Sequence, residues 1–399
     1  MQQTWRWFGP KDGVTLMQAR QAGATGIVTA LHDIPYGVVW TVEAIRERQA
    51  AIGADPALGL TWSVAESLPV HESIKIGAGD LEPLFETYRT SIRNLAACGV
   101  TTICYNFMPV LDWARTELRH ALPNGGTALR FNAHEWAAFD ALMLERPGAA
   151  AEVSPAVMAR ARAWYAASTE ADRDALLATV MAGLPGAFDR YDIAGLRGML
   201  ERYRDVTPER LRQNLKRFLE AVIPTAEAVG LRMAIHPDDP PCPLLGLPRI
   251  VSSADDLAFI TEAVDAPANG ITLCSGSLGS STGNDVVAIA RRFASRIHFA
   301  HLRNVANEPD GSFMEADHLD GDTDMVALLE VLLAEQGRRK VAGDPRWRIP
   351  MRPDHGHELL GDIGQTGHFP GYSATGRLKG LAELRGVMRA VSRMRDLPL

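Results

Sequence analysis

Residues 297–304 read IHFAHLRN, residues 322–335 read DTDMVALLEVLLAE, and residues 349–356 read IPMRPDHG. The first and third are short and rich in apolar, β-branched or aromatic side chains, the pattern of a strand. The segment between them repeats apolar residues at helical spacing. Strand, helix and strand in that order form a βαβ unit, whose two strands lie parallel in one sheet. The same alternation recurs along the chain, with strands expected at 4–9, 26–32, 60–65, 101–107, 232–238 and 270–276. Helical patterns at 80–97 and 378–393 fall in step with it. Eight such units fit a closed (β/α)8 TIM barrel better than an open sheet.

The alternation breaks once, between the fourth and fifth strands. Residues 109–206 are rich in Ala, Arg and Glu and read as several helices, with start signals at Ser154-Pro155 and Ser168-Thr169-Glu170. An insertion after a barrel strand emerges at the catalytic end, so this one is expected as a cap or an oligomer contact on a single domain spanning 1–399. The length of 399 residues exceeds the usual single-domain size, but barrels with insertions reach it.

The net charge of −7 argues against a general nucleic-acid binder. Four scattered cysteines do not make a disulfide framework, and no apolar run reaches the length of a membrane span. A cytoplasmic enzyme acting on a small molecule, without nucleic-acid or membrane partners and forming a homo-oligomer, is the class expected.

On a barrel, chemistry sits where the strands end at their C-terminal side. Four metal-binding residue types occupy that place on four successive strands: His236 in AIHPDDPP, Cys274 in TLCSGS, His301 in FAHLRN and Asp354 in MRPDHGH. A lone buried cysteine usually packs as a small hydrophobe, and a lone histidine near a strand end is usually not a ligand. Four such residues at one level argue for one divalent metal. A thiolate, two imidazoles and a carboxylate suit zinc or ferrous iron by softness, while catalysis needs open positions, which Mn2+ or Fe2+ leaves. Strand alternation places Arg303 on the face of His301, and Arg352 on the face of Asp354. Both arginines are therefore expected inside, as anion receptors for substrate. Asn106 and His71 are candidate hydroxyl contacts, and Tyr36, with Trp5, Trp7, Trp62 and Tyr105, is a candidate wall of the site. His298 faces the opposite way and is read as packed.

Around these residues the sequence resembles the D-mannonate dehydratase family. The likeness runs through WRWFG (5–9), LHDIPYGVVW (31–40), SLPVHESIK (67–75) and YNFMPVLDW (105–113). It continues through HPDDPP (236–241), FAHLRNV (299–305), MRPDHGH (351–357) and PGYSATGRLKG (370–380). The resemblance implies a xylose-isomerase-like barrel that uses Mn2+, or Fe2+. The implied reaction is conversion of D-mannonate to 2-keto-3-deoxy-D-gluconate plus water in hexuronate catabolism. By motif, His236, Cys274, His301 and Asp354 match the family's metal ligands. His355 and Tyr372 match its acid/base pair, in an order the sequence leaves open. The competing readings are a metal-dependent sugar isomerase or epimerase on the same barrel, a phosphodiesterase barrel, and a sugar-acid sensor without turnover.

Overall fold

A computed structural model describes residues 1–182 and 191–399 of the chain. Eight parallel strands close into a barrel in the order β1 (Gln2–Arg6), β2 (Gly26–Thr29), β3 (Thr61–Glu66), β4 (Thr102–Tyr105), β7 (Arg232–Ile235), β8 (Asn269–Cys274), β9 (Ile297–His301) and β12 (Pro350–Arg352), which returns to β1. Every expected strand is present. Most end several residues sooner than their apolar patterns suggested, so that Cys274, His301 and Arg352 are the last residues of their ladders and His236 and Asp354 lie just beyond theirs.

Val28, Val64, Cys104, Ala234 and Phe299, from five different strands, pack together as one cluster. Four of the five are small or β-branched, so one aromatic ring completes a dense layer. The outer wall is helical. In Pro208–Ala228, capped by the Thr207 hydroxyl, the buried residues Leu211, Leu215, Phe218, Leu219, Val222 and Ile223 recur at helical spacing. Among the described residues no helix is long and apolar enough to cross a membrane.

The segment between β4 and β7 departs from its all-helical expectation. It opens with a hairpin, β5 (Glu117–Ala121) and β6 (Thr127–Phe131), before the helices Ala133–Ala138, Pro155–Ala167, Glu170–Val180 and Ile193–Arg202. Residues 183–190 of the expected insertion lie outside the described residues. Pro123-Asn124-Gly125-Gly126 makes the turn, with Gly125 in the left-handed region at φ +83°. Both helix starts hold as read: the Ser154 hydroxyl accepts from the Val157 N–H, and Thr169 forms a capping box with Asp172. The hairpin joins β10 (Asn304–Asn307) and β11 (Phe313–Ala316) in a four-stranded sheet, order β10-β11-β6-β5. The Phe131 and Phe313 rings stack at 5.5 Å and tie its two halves. β10 and β11 follow directly from β9, so this small sheet stands at the barrel's C-terminal end and carries Glu315 there.

The last helix, Ala374–Arg395, closes against the loop after β12. A Cβ on Gly376 would lie 2.0 Å from the His357 carbonyl oxygen, whereas one on Gly386 of the same helix would meet nothing within 4 Å. Gly376→Ala should therefore lower the free energy of unfolding by about 1–3 kcal/mol despite better helix propensity, and reduce activity by displacing the loop. Gly386→Ala should raise stability by about 0.5–1 kcal/mol. Chemical denaturation of the two variants checks the contrast.

Candidate metal centre and its charged surround

Cys274, His301 and Arg352 are register partners across β8, β9 and β12, so one line at the strand ends carries all three. His236 follows β7 directly, and Asp354 lies two residues past β12, held in the left-handed region at φ +63°. Aspartate tolerates that conformation better than most residues. His236 Nδ1 donates to the Pro237 carbonyl at 2.6 Å, which leaves Nε2 as an acceptor facing His301 Nδ1 at 3.0 Å. Cys274 Sγ receives the Ser277 hydroxyl at 3.0 Å and its N–H at 3.4 Å. Asp354 Oδ2 is 3.7 Å from that sulfur and 3.8 Å from His301 Nδ1.

The donor set fits a divalent ion. Two nitrogens about 2.1 Å from one ion, at a right angle, are about 3 Å apart, the separation found for the two imidazoles. The backbone carbonyl on His236 Nδ1 is the partner that fixes a ligating tautomer. All four expected donors therefore converge, with Asp354 slightly outside the trio His236, Cys274 and His301, whose ligand atoms lie within 4.8 Å of one another. A second trio, Glu66, Cys104 and His301, meets the same distance limit deeper in the barrel. It makes a poorer site, because Glu66 is bound bidentately by Arg352 and burial pushes the Cys104 thiol well above its usual range.

Charge surrounds these donors. Arg303 donates to Asp354 (3.0 Å), Glu315 (2.8 Å), Asp239 (2.6 Å) and the Ser277 hydroxyl (3.0 Å). Arg352 holds Glu66 through Nε (3.1 Å) and Nη2 (2.8 Å), and also Asp354. Arg115 binds Asp239 and reaches Glu315 at 3.0 Å. Burial alone would raise each of these carboxyls, but the guanidiniums outweigh it. Arg352 and Arg6 hold Glu66 well below its usual range, Arg115 and Arg303 lower Asp239, and Arg303 with His355 holds Glu315 at about 2. Asp354 is likewise held well below its usual value, by Arg352, His355, His301 and Arg303 against burial.

The two arginines expected as open anion receptors are thus engaged by protein carboxylates, and in this structure they orient Asp354 and its neighbours. His355 lies beside the donors, with Nδ1 3.0 Å from Glu315 Oε1 and its ring 5.1 Å from that of Tyr372. Tyr372 is buried, and burial raises its hydroxyl above the usual phenol value. Asn106 and Tyr36 line a cavity at the same end with Arg6, His32, Lys75 and Asp112. His71 does not line it; its Nδ1 accepts from the Ser73 N–H and caps the helix Glu72–Ile76. Tyr105 turns outward instead of walling the site, its ring 5.8 Å from Phe218. His298 hydrogen-bonds the Pro267 carbonyl, away from the site. Sequence reasoning missed Glu66, Asp239, Arg115 and Glu315. Glu66 had a signal, since it ends β3 at the level of the other donors; Glu315 had none, because β11 was not recognised.

A barrel with convergent donors at its strand ends defines an enzyme, and comparison with known proteins gives its class. A family model described as D-mannonate dehydratase (UxuA) matches residues 1–397. Mannonate dehydratase of Chromohalobacter salexigens is 54% identical over 395 residues, 99% of this chain and 100% of that protein. Its counterpart from Saccharophagus degradans is 51% identical over 391 residues, 98% of each. The crystal structure of mannonate dehydratase from Streptococcus suis serotype 2 matches with a TM-score of 0.76 at 35% identity, covering 99% of this chain and 95% of that one. The protein is a carbon–oxygen lyase, which displaces the isomerase, phosphodiesterase and sensor readings. It belongs to the D-mannonate dehydratase family.

A depressed carboxyl contributes stability that is present above its unfolded value, near 4.5 for Glu315, and is lost as pH falls towards about 2. Glu315→Gln should cost on the order of 3 kcal/mol near neutral pH, since it strands buried guanidinium donors. The gap in denaturation midpoint between wild type and variant should narrow as pH falls from 4.5 to 2. A gap that stays constant over that window would show that Glu315 carries no such charge.

Proposed function

We propose that the enzyme dehydrates D-mannonate to 2-keto-3-deoxy-D-gluconate with a divalent ion, Mn2+ or Fe2+, held by His236, Cys274, His301 and Asp354. The convergence of these donors beside the His355–Tyr372 pair carries the reading. When bound, such an ion supplies Lewis-acid stabilisation of the charge that gathers on the substrate's carboxylate as the neighbouring proton leaves. The chain's own groups move the protons. His355 donates Nδ1–H to Glu315, which leaves Nε2 as the basic atom to take the proton beside the carboxylate. Tyr372, whose burial keeps its proton on oxygen, protonates the departing hydroxide. Arg303 and Arg352 hold Asp354 in place through both reactions. Hexuronate catabolism is the setting that this substrate suggests.

Cys274→Ser should raise the Mn2+ concentration for half-maximal turnover, because a weaker donor replaces the thiolate. An unchanged titration would remove the sulfur from the ligand set. His355→Asn and Tyr372→Phe should each lower turnover of D-mannonate by about 10²–10⁴-fold while leaving Mn2+ affinity nearly intact. With the base removed, exchange of the proton beside the carboxylate in deuterium oxide should stop; with the acid removed, some should persist. The reverse pattern would exchange the two roles.

A further inference from the structure

A sugar acid brings a carboxylate into the site, and the arginines nearest the metal donors have little left to offer it. Arg303 and Arg352 direct every side-chain nitrogen at protein atoms, and Arg115 commits both Nη atoms to Asp239 and Glu315, with only its Nε unpaired. Arg6, the last residue of β1, differs. Its side chain is 3% exposed, yet Nε and Nη1 make no hydrogen bond. Nη1 does lie 3.2 Å from Glu66 Oε2, but Glu66 already has the bidentate clasp of Arg352. A buried guanidinium without hydrogen-bond partners is costly, and the partner that suits it best is a carboxylate.

Its position is also informative. Arg6 lines the cavity that holds Asn106, Tyr36 and His32. On one side it meets Glu66, which lies 3.5 Å from His301 Nε2. On the other it stands over the Phe8 ring, 5.0 Å from its centroid, and Phe8 meets Tyr372 edge-on at 4.9 Å. Arg6 therefore adjoins both the metal donors and the proton-transfer tyrosine. His32 sits beside it, its ring 5.7 Å from Phe8, with both ring nitrogens buried and without a hydrogen bond. Burial, with Arg6 and Arg48, holds its pKa well below the usual histidine value, so the ring is neutral, with one donor and one acceptor. A hydroxyl offers the same pair in return.

We propose that Arg6 is the receptor for the carboxylate of the sugar acid and that His32 reads an adjoining hydroxyl, making Arg6 the residue that selects acids over neutral polyols. The proposal rests on the dehydratase reading above. D-Mannonate and D-mannitol share a carbon skeleton and differ at the charged end, so they form the test pair. Their affinities would be measured by calorimetry on Mn2+-loaded protein carrying His355→Asn, which spares the substrate. Adding Arg6→Gln should weaken D-mannonate binding about 100-fold and change D-mannitol binding less than twofold. Arg6→Lys, which keeps the charge but loses the planar fork, should give an intermediate loss for D-mannonate alone, and it serves where the glutamine variant does not fold or hold Mn2+. An equal loss for both ligands, or none for D-mannonate, would overturn the assignment. Protein that binds D-mannonate but, with His355 intact, dehydrates no hexonate would overturn the dehydratase reading instead, and the calorimetry would still judge Arg6.

Discussion

Four carboxylates, those of Glu66, Asp239, Glu315 and Asp354, lie buried at one end of the barrel and stay ionised because arginines reach every one of them. Moving any one of these charges from water to the interior unpaired would cost several kcal/mol, so the surround is kept whole or not at all. Arg303 is its hub. The guanidinium ties Asp239 after β7, Asp354 after β12 and Glu315 on β11, three segments far apart in sequence. The small antiparallel sheet at the mouth of the barrel follows from the same constraint, since it supplies Glu315 to Arg303, Arg115 and His355.

The legible parts of the sequence were those set by local pattern. The barrel strands announced themselves because each is a short apolar run followed by a polar turn, and the donors His236, Cys274, His301 and Asp354 because each falls at the end of such a run. Arg303 and Arg352 were correctly placed inside by strand alternation. Their partners were not legible, because Arg303 meets Asp239 across 64 residues and Arg115 meets Glu315 across 200. An inward arginine looks alike in sequence whether it faces substrate or a distant carboxylate.

The hairpin at 117–131 escaped for a different reason. β5 reads Glu-Leu-Arg-His-Ala with every residue at least partly exposed, so it lacks the alternation that marks a half-buried strand. The Asn-Gly-Gly turn that follows was the available signal, and the Ala- and Arg-rich composition of the wider insertion masked it. His71 carries a role that its motif did not announce: its Nδ1 caps the nearby helix start.

Charge balance links these features to the proposed chemistry. The guanidiniums of Arg6, Arg115, Arg303 and Arg352 face the four carboxylates, so the protein's charged surround is close to neutral. A divalent ion held with one thiolate would leave a single positive charge, which the carboxylate of a sugar acid cancels. Transfer of a proton from substrate carbon to His355 then moves charge within the site and adds none to it. The surrounding dipoles and ion pairs, already fixed by the Arg303 hub, do not have to rearrange as the negative charge develops. A rigid, neutralised surround with one guanidinium left without a hydrogen bond suits a site that must accept a monoanion and then hold a more highly charged transient at the same place.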